Sequence, residues 1–238
     1  MRPSIYLFGD SITEESFSYG GWGSSLANHF ARTADLVLRG YSGYNTRWAL
    51  KVIEKVFPAT AEGGGAPLAV TVFFGANDAC LSDRCSAFQH VPLDEYKQNL
   101  HAIVAFFKKR WPSAHILLIT PPPIDEDARL LHPYVENLSG LPERTNEAAG
   151  SYAKQCLAIA AECGISAIDL WTKMQQFPGW QKAYLRDGLH LSENGNKVVF
   201  GEVIGQLKEE GVSLETLSPD LPLISEINPD DPLKSFDN

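Results

Sequence analysis

No apolar run in this 238-residue chain approaches the length of a membrane-spanning helix, so no membrane partner is expected. The apolar residues before Asp10 are too few for a secretory leader, and Lys234-Ser235-Phe236-Asp237-Asn238 carries no lipidation signal. The expected location is cytoplasmic. Cysteine is scarce. Cys80, Cys85, Cys156 and Cys163 form no C-x-x-C pair, which argues against a zinc or thioredoxin-type site and for free thiols in a reducing compartment. Basic residues number 20 against 29 acidic ones, and the net charge of −9 argues against nucleic acid or an anionic membrane as partner. A neutral or cationic small molecule suits the chain better. Gly63-Gly64-Gly65 is not followed by Lys-Ser/Thr, so it is a flexible connector and not a phosphate-binding loop. H-E-x-x-H is absent, as is any other metal spacing, and so is the G-x-S-x-G of the standard α/β-hydrolase elbow. Without a leader, the glycosylation sequon Asn137-Leu138-Ser139 reads as chance.

What is present fits an ordinary globular protein. Hydrophobic residues make up 44% and charged residues 21%, and the length suits one large domain better than two. Short apolar runs alternate with amphipathic stretches. Ile5–Phe8, Asp35–Leu38, Leu68–Phe74, His115–Thr120 and Ser166–Leu170 read as strands. Trp22–Thr33, Asn45 (as cap) to Val56, Asp94–Trp111, Arg144–Glu162 and Ser192–Glu210 read as helices. That order predicts an α/β fold with a mostly parallel, five-stranded sheet in a single three-layer sandwich. The domain is expected to span residues 1–217. Residues 218–238, rich in Pro and Asp, form a tail that either packs on a second subunit, as in a homodimer, or stays mobile. The segment Ile124–Pro142 reads as a long irregular loop, of the kind that is usually functional or mobile.

Open parallel sheets gather their sites at the carboxyl ends of strands. The first strand ends at Gly9-Asp10-Ser11, the second leads into Gly40-Tyr41-Ser42-Gly43-Tyr44-Asn45, and the third ends at Gly75-Ala76-Asn77-Asp78. Asp187-Gly188-Leu189-His190 precedes the last helix. Ester hydrolysis needs a nucleophile, a histidine to carry its proton, a carboxylate to orient that histidine, and donors for the oxyanion. The four clusters supply Ser11, His190, Asp187, and Gly43 with Asn77. Asp187 and His190 stand three apart, so a helical turn would deliver both from one side. Gly43 lacks a side chain and lets a backbone N–H approach a ligand. The Asn77 amide has an NH₂ to offer.

These blocks, in this order from Gly9 to His190, resemble the SGNH (GDSL-type) hydrolases. Arg39 to Leu50, Phe74 to Cys80 and Asp187 to Ser192 are similar to the isoamyl acetate-hydrolysing esterase branch, whose relatives include the short plant GDSL esterases. The resemblance implies a flavodoxin-like three-layer α/β/α fold and cofactor-free hydrolysis of acetyl or other short-acyl esters. It implies Ser11 as nucleophile and, through its N–H, oxyanion donor. Gly43 and Asn77 are the other donors, Asp187 the orienter and His190 the base. Gly40 competes with Gly43, but only Gly43 is followed by aromatic-polar-polar as in the branch pattern.

Taken singly, each block has a plainer reading as a turn or cap, and Asp10 is expected to brace its turn by hydrogen bonds. Their joint occurrence decides for the site. Two other functions compete. A Mg²⁺-dependent phosphate-ester hydrolase with Asp10 as nucleophile lacks its companion carboxylate, because position 12 is Ile. A non-catalytic binding module leaves the complete residue set unexplained. His29, His90, His101, His115 and His132 are expected on the surface or in satisfied core positions, and Trp48, Trp111, Trp171 and Trp180 in the core or its cover. Trp22, Phe74 and Leu81 adjoin the blocks and are candidates to line a pocket.

Overall fold

The computed structural model describes residues 2–58 and 65–236, so Gly63 and Gly64 of the expected connector lie outside the described residues. Five strands form one sheet: β1 (Ser4–Gly9), β2 (Asp35–Gly40), β3 (Ala69–Phe73), β4 (His115–Ile119) and β5 (Ser166–Ile168). Their order is β2-β1-β3-β4-β5 and every pairing is parallel. The helices are α1 (Ser11–Glu14), α2 (Trp22–His29), α3 (Thr46–Val56), α4 (Leu93–Arg110), α5 (Glu126–Leu131), α6 (Asn146–Cys163), α7 (Leu170–Gln175), α8 (Trp180–Tyr184) and α9 (Glu193–Glu209).

Alternation along each strand divides the core into two layers, because successive side chains leave a strand on opposite faces. Ile5 and Leu7 of β1 join Phe73, Leu117 and Ile119 on the face covered by α2, α7, α8 and α9, where Trp22, Met174, Trp180, Val199 and Val203 are buried. Phe8, Val70, Val72, Ile116 and Leu118 point the other way, against Ile53 of α3, Phe107 of α4 and Ile159 of α6. Each fully buried side chain of this kind contributes about 1.5–3 kcal/mol through burial. The three-layer α/β/α sandwich follows.

The helix ends obey local chemistry. The Asn45 side chain accepts from the Trp48 N–H at 2.9 Å, and Ser192 Oγ accepts from the Gly195 N–H at 3.2 Å, so both residues cap as expected. Helix α4 carries Asp94 and Glu95 in its first turn and Lys108, Lys109 and Arg110 in its last, matching its dipole.

Beyond shifts of one or two residues at most element ends, the structure departs from the sequence reading at several points. Helix α2 ends at His29, and Arg32 in the turn beyond it has a positive φ of 70°. β5 stops at Ile168, because Asp169 caps α7 by accepting from the Thr172 N–H, so Leu170 begins a helix. The segment 124–142 is not wholly irregular: Asp125 caps α5 within it. Helices α1 and α8, of four and five residues, are too short to show a periodic pattern. In the tail, Asp220 pairs with Arg2 at 3.0 Å, and Arg32 donates to the Leu221 carbonyl at 2.8 Å.

Candidate active site

Register sets the floor of the site. Gly9 of β1 lies level with Gly40 of β2 and Phe73 of β3, so the three turns that follow share one rim of the sheet. β1 runs directly into α1, whose first residue is Ser11. Asp10 caps this turn: its Oδ1 accepts from the Ile12 N–H at 3.0 Å. Asp10 is fully buried, and burial pushes its carboxyl up to about 7. That hydrogen bond braces the turn, and the buried carboxyl faces inward, out of position for the Asp10-nucleophile reading. No group of three or more His, Cys, Asp or Glu able to hold a metal occurs among the described residues.

Ser11 Oγ lies 3.0 Å from His190 Nε2, and His190 Nδ1 lies 2.7 Å from Asp187 Oδ2. The local form differs from the helical turn expected. Residues 186–190 form a bend closed by an antiparallel bridge between Leu185 and Leu191. Within it, Asp187 Oδ1 accepts from the N–H of Leu189 at 3.0 Å and of His190 at 2.8 Å. One carboxylate thus shapes the bend with one oxygen and holds the imidazole with the other. Burial alone would raise the Asp187 carboxyl, but the hydrogen bond and charge of His190, with the two backbone N–H groups, hold it well below the usual carboxylate range. Gly188 has φ 86° and lies against α5, whose capping residue Asp125 donates its N–H to the Gly188 carbonyl at 3.0 Å.

The two candidate glycines separate clearly. A Cβ on Gly40 would stand 2.0 Å from the Glu14 backbone nitrogen, so Gly40 serves the close packing of β2 under α1. Gly43 has φ 78° and lines the cavity above Ser11. Its loop is held from two sides: Glu14 accepts from the Ser42 N–H at 2.7 Å, and Gln89 Nε2 donates to the Gly43 carbonyl at 3.0 Å. Among the described residues, no protein acceptor engages the N–H of Ser11 or Gly43. Asn77 Nδ2 donates to the Tyr44 carbonyl at 2.8 Å, which uses one of its two hydrogens. Asp78, beside it, is fully buried and fixes the start of α3 by accepting from the Thr46 N–H at 3.0 Å; burial pushes this carboxyl up to about 7 as well.

The cavity over these groups has a volume of about 270 Å³. Ser11, Gly43, Asn77, Asp187 and His190 all line it. So do Ser42, Gln89, Arg129, His132, Pro133, Tyr134, Leu189 and Arg144, which the sequence reading did not assign to it. His132 is exposed, as expected, and also borders the cavity. Trp22, Phe74 and Leu81 are not in the lining; Trp22 is buried and donates its indole N–H to the Ile12 carbonyl at 3.1 Å. Part of the wall belongs to a buried ion cluster. Glu143 Oε1 accepts from Arg129 Nη2 at 2.6 Å and Arg144 Nη1 at 2.7 Å, and Arg129 Nη1 stands 3.4 Å from Asp187 Oδ2.

The chain matches the model of the family described as GDSL-like Lipase/Acylhydrolase over residues 5–203. The chain belongs to this family. A GDSL esterase/lipase of Arabidopsis thaliana is 70% identical over 100% of this chain and 99% of its own length. The isoamyl acetate-hydrolyzing esterase 1 homolog of Rattus norvegicus is 43% identical over 96% of this chain and 90% of its own. Among solved structures, a lipase/acylhydrolase from Enterococcus faecalis shares the fold with a TM-score of 0.69 at 24% identity, over 93% of this chain and 100% of that one. As a GDSL-type chain it is a serine esterase, a carboxylic ester hydrolase. No helix among the described residues is long and apolar enough to cross a membrane.

Proposed function

We propose that this GDSL esterase cleaves acetyl and other short-acyl esters of small alcohols through an acyl-Ser11 intermediate. The observation that carries the reading is the hydrogen-bonded chain Ser11–His190–Asp187, with links of 3.0 and 2.7 Å, lining one cavity. Ser11 Oγ attacks the ester carbonyl carbon while its proton passes to His190 Nε2. The C=O electrons move onto oxygen, and the N–H of Ser11, the N–H of Gly43 and the second hydrogen of Asn77 Nδ2 receive that oxyanion. Collapse breaks the bond to the alcohol, which leaves with the proton from His190. Water then repeats the sequence and releases the acid. Asp187 keeps the proton on Nδ1, so Nε2 presents a lone pair to Ser11.

The short-acyl reading rests on the cavity. Its volume of about 270 Å³ falls below the range of about 300–1,000 Å³ usual for small-molecule sites. The isoamyl acetate named in the relatives from Rattus norvegicus and Homo sapiens is an ester of this size class. The free thiols Cys80, Cys85, Cys156 and Cys163 support a cytoplasmic setting.

The test is Ser11→Ala assayed on p-nitrophenyl acetate, with circular dichroism to verify the fold. Hydrolysis is expected to fall to the uncatalysed background, and labelling by a serine-directed phosphonate is expected to vanish with it. Unchanged turnover in the variant would overturn the acyl-serine reading. A series of p-nitrophenyl esters of rising acyl length is expected to peak at the short end.

A further inference from the structure

The Asn77 side chain can assist an oxyanion only if its NH₂, and not its oxygen, faces the cavity, and an amide can turn over. Three neighbours bear on which way it sits. The Tyr44 carbonyl only accepts, and it lies 2.8 Å from Nδ2. Arg144 Nη2 lies 3.0 Å from Oδ1, and a guanidinium only donates. Gln89 Nε2 lies 3.2 Å from the same oxygen, yet a free glutamine amide could itself turn and offer its oxygen instead. It is prevented by the same arginine, because Gln89 Oε1 accepts from Arg144 Nη2 at 2.9 Å. The Gln89 NH₂ is thereby aimed at both Asn77 Oδ1 and the Gly43 carbonyl.

We propose that Arg144 is the positioning residue of the oxyanion site, one guanidinium fixing the orientation of the Asn77 amide directly and the Gly43 loop through Gln89. The inference rests on the reading of Asn77 and Gly43 as oxyanion donors. Arg144 does not meet the reacting atoms in that mechanism. Its Nε donates to the carbonyl of Ala76, the residue before Asn77, at 2.9 Å, so the turn is held by main chain and side chain together. Arg144 is in turn held by Glu143, and both residues are buried. No other side chain type supplies donors in a rigid planar fork that spans four acceptors and never deprotonates.

The experiment is a double-mutant cycle on p-nitrophenyl acetate with Arg144→Met, Asn77→Ala and the double variant, with thermal unfolding to establish that each folds. Arg144→Met is expected to lower kcat about 10- to 100-fold with KM changed less than about threefold, a smaller loss than the about 10²–10³-fold expected for removing a whole oxyanion donor in Asn77→Ala. In the Asn77→Ala background, Arg144→Met is expected to lower kcat at least about threefold less than it does in the native background, because only its hold on the Gly43 loop through Gln89 remains. Arg144→Lys keeps the charge but not the fork and is expected to leave kcat at least about tenfold down. Independent, multiplicative losses in the double variant would overturn the inference, as would full kcat in Arg144→Met or Arg144→Lys. If Arg144→Met does not fold, Gln89→Met runs the same cycle with the ion cluster intact; a sub-multiplicative loss with Asn77→Ala supports the proposal and a multiplicative one overturns it. Wild-type kcat in Asn77→Ala would remove the oxyanion reading itself. A slow Asn77→Ala beside an unaffected Arg144→Met would remove only the role of Arg144.

Discussion

Replacing Asp187 by Asn changes one atom in size but reverses the logic of the site. In the native turn, Oδ1 accepts two backbone N–H groups, from Leu189 at 3.0 Å and His190 at 2.8 Å, and Oδ2 accepts from His190 Nδ1 at 2.7 Å. An asparagine has one oxygen for these three donors. If that oxygen keeps the two backbone groups, the NH₂ faces Nδ1, and the imidazole must turn its proton to Nε2. The histidine then presents a proton to Ser11 Oγ where it needs a lone pair. If the amide flips to restore the imidazole, both backbone N–H groups lose their acceptor. At about 1–3 kcal/mol for each buried donor left unmade, the productive arrangement lies about 2–6 kcal/mol above the other. With about 1.4 kcal/mol per tenfold, kcat is expected to fall between about 30-fold and about 10⁴-fold. The fold is expected to persist, because the dominant amide orientation keeps both backbone bonds of the bend. Initial rates on p-nitrophenyl acetate give kcat, and urea unfolding gives the stability. A kcat within tenfold of the native enzyme would refute the tautomer argument. So would an equal loss accompanied by a collapsed fold, which would make Asp187 a purely structural acceptor.

Two further outcomes follow from the packing and the buried carboxyls. Gly188→Ala would place a Cβ 2.4 Å from the Asp125 carbonyl oxygen at a φ of 86°, so backbone must move; it is expected to destabilise the protein by more than about 1–2 kcal/mol in urea unfolding and to lower kcat by displacing His190, whereas native stability and rate would show the turn to be pliable. Asp10 is raised from 3.8 to about 7 by burial, so between those values the folded protein keeps a proton that the unfolded chain has released, and its contribution is present at low pH and lost as pH rises toward about 7. Asp10→Asn removes that loss. Its stability relative to native, from urea unfolding, is expected to shift in the variant's favour between about pH 4.5 and about pH 7.5, and an equal difference at both pH values would contradict a neutral Asp10 in the folded state.

The sheet was legible because its strands are buried on both faces. Ala69–Phe73 has no exposed position, and such continuous apolar runs belong to parallel sheets covered by helices on each side. The long helices were legible from caps and period together, Asn45 and Ser192 being the clearest signals. The meeting of the candidate site's blocks was legible because parallel strands end on one rim, so small polar turns after β1, β2 and β3 must meet. The bend carrying His190 was read in the wrong form. A spacing of three suits a helical turn, but a carboxylate that accepts from the N–H two and three residues on makes a tighter turn of its own, and Gly188 at positive φ permits it. Spacing alone carries no trace of that competition.

The wall of the site escaped for a different reason. Charged residues are read as solvated unless a partner is visible, and here the partners are distant in sequence: Arg129 meets Glu143 across fourteen positions, and Arg144 meets Asn77 across sixty-seven. Neighbouring Glu143 and Arg144 look like any surface pair on the page. Burial changes what they do. A lone buried arginine would be too costly to keep, and two arginines on one glutamate carry a net positive charge, which a further carboxylate nearby lowers. Asp187 supplies it through Arg129 at 3.4 Å. The charge that balances the cluster is thus the one that orients His190, and the other end of the same cluster holds the Asn77 amide. The acid–base half of the proposed mechanism and its oxyanion half therefore share one buried electrostatic support, and loss of Glu143 is expected to weaken both, which separate substitutions at Asp187 and Asn77 cannot do.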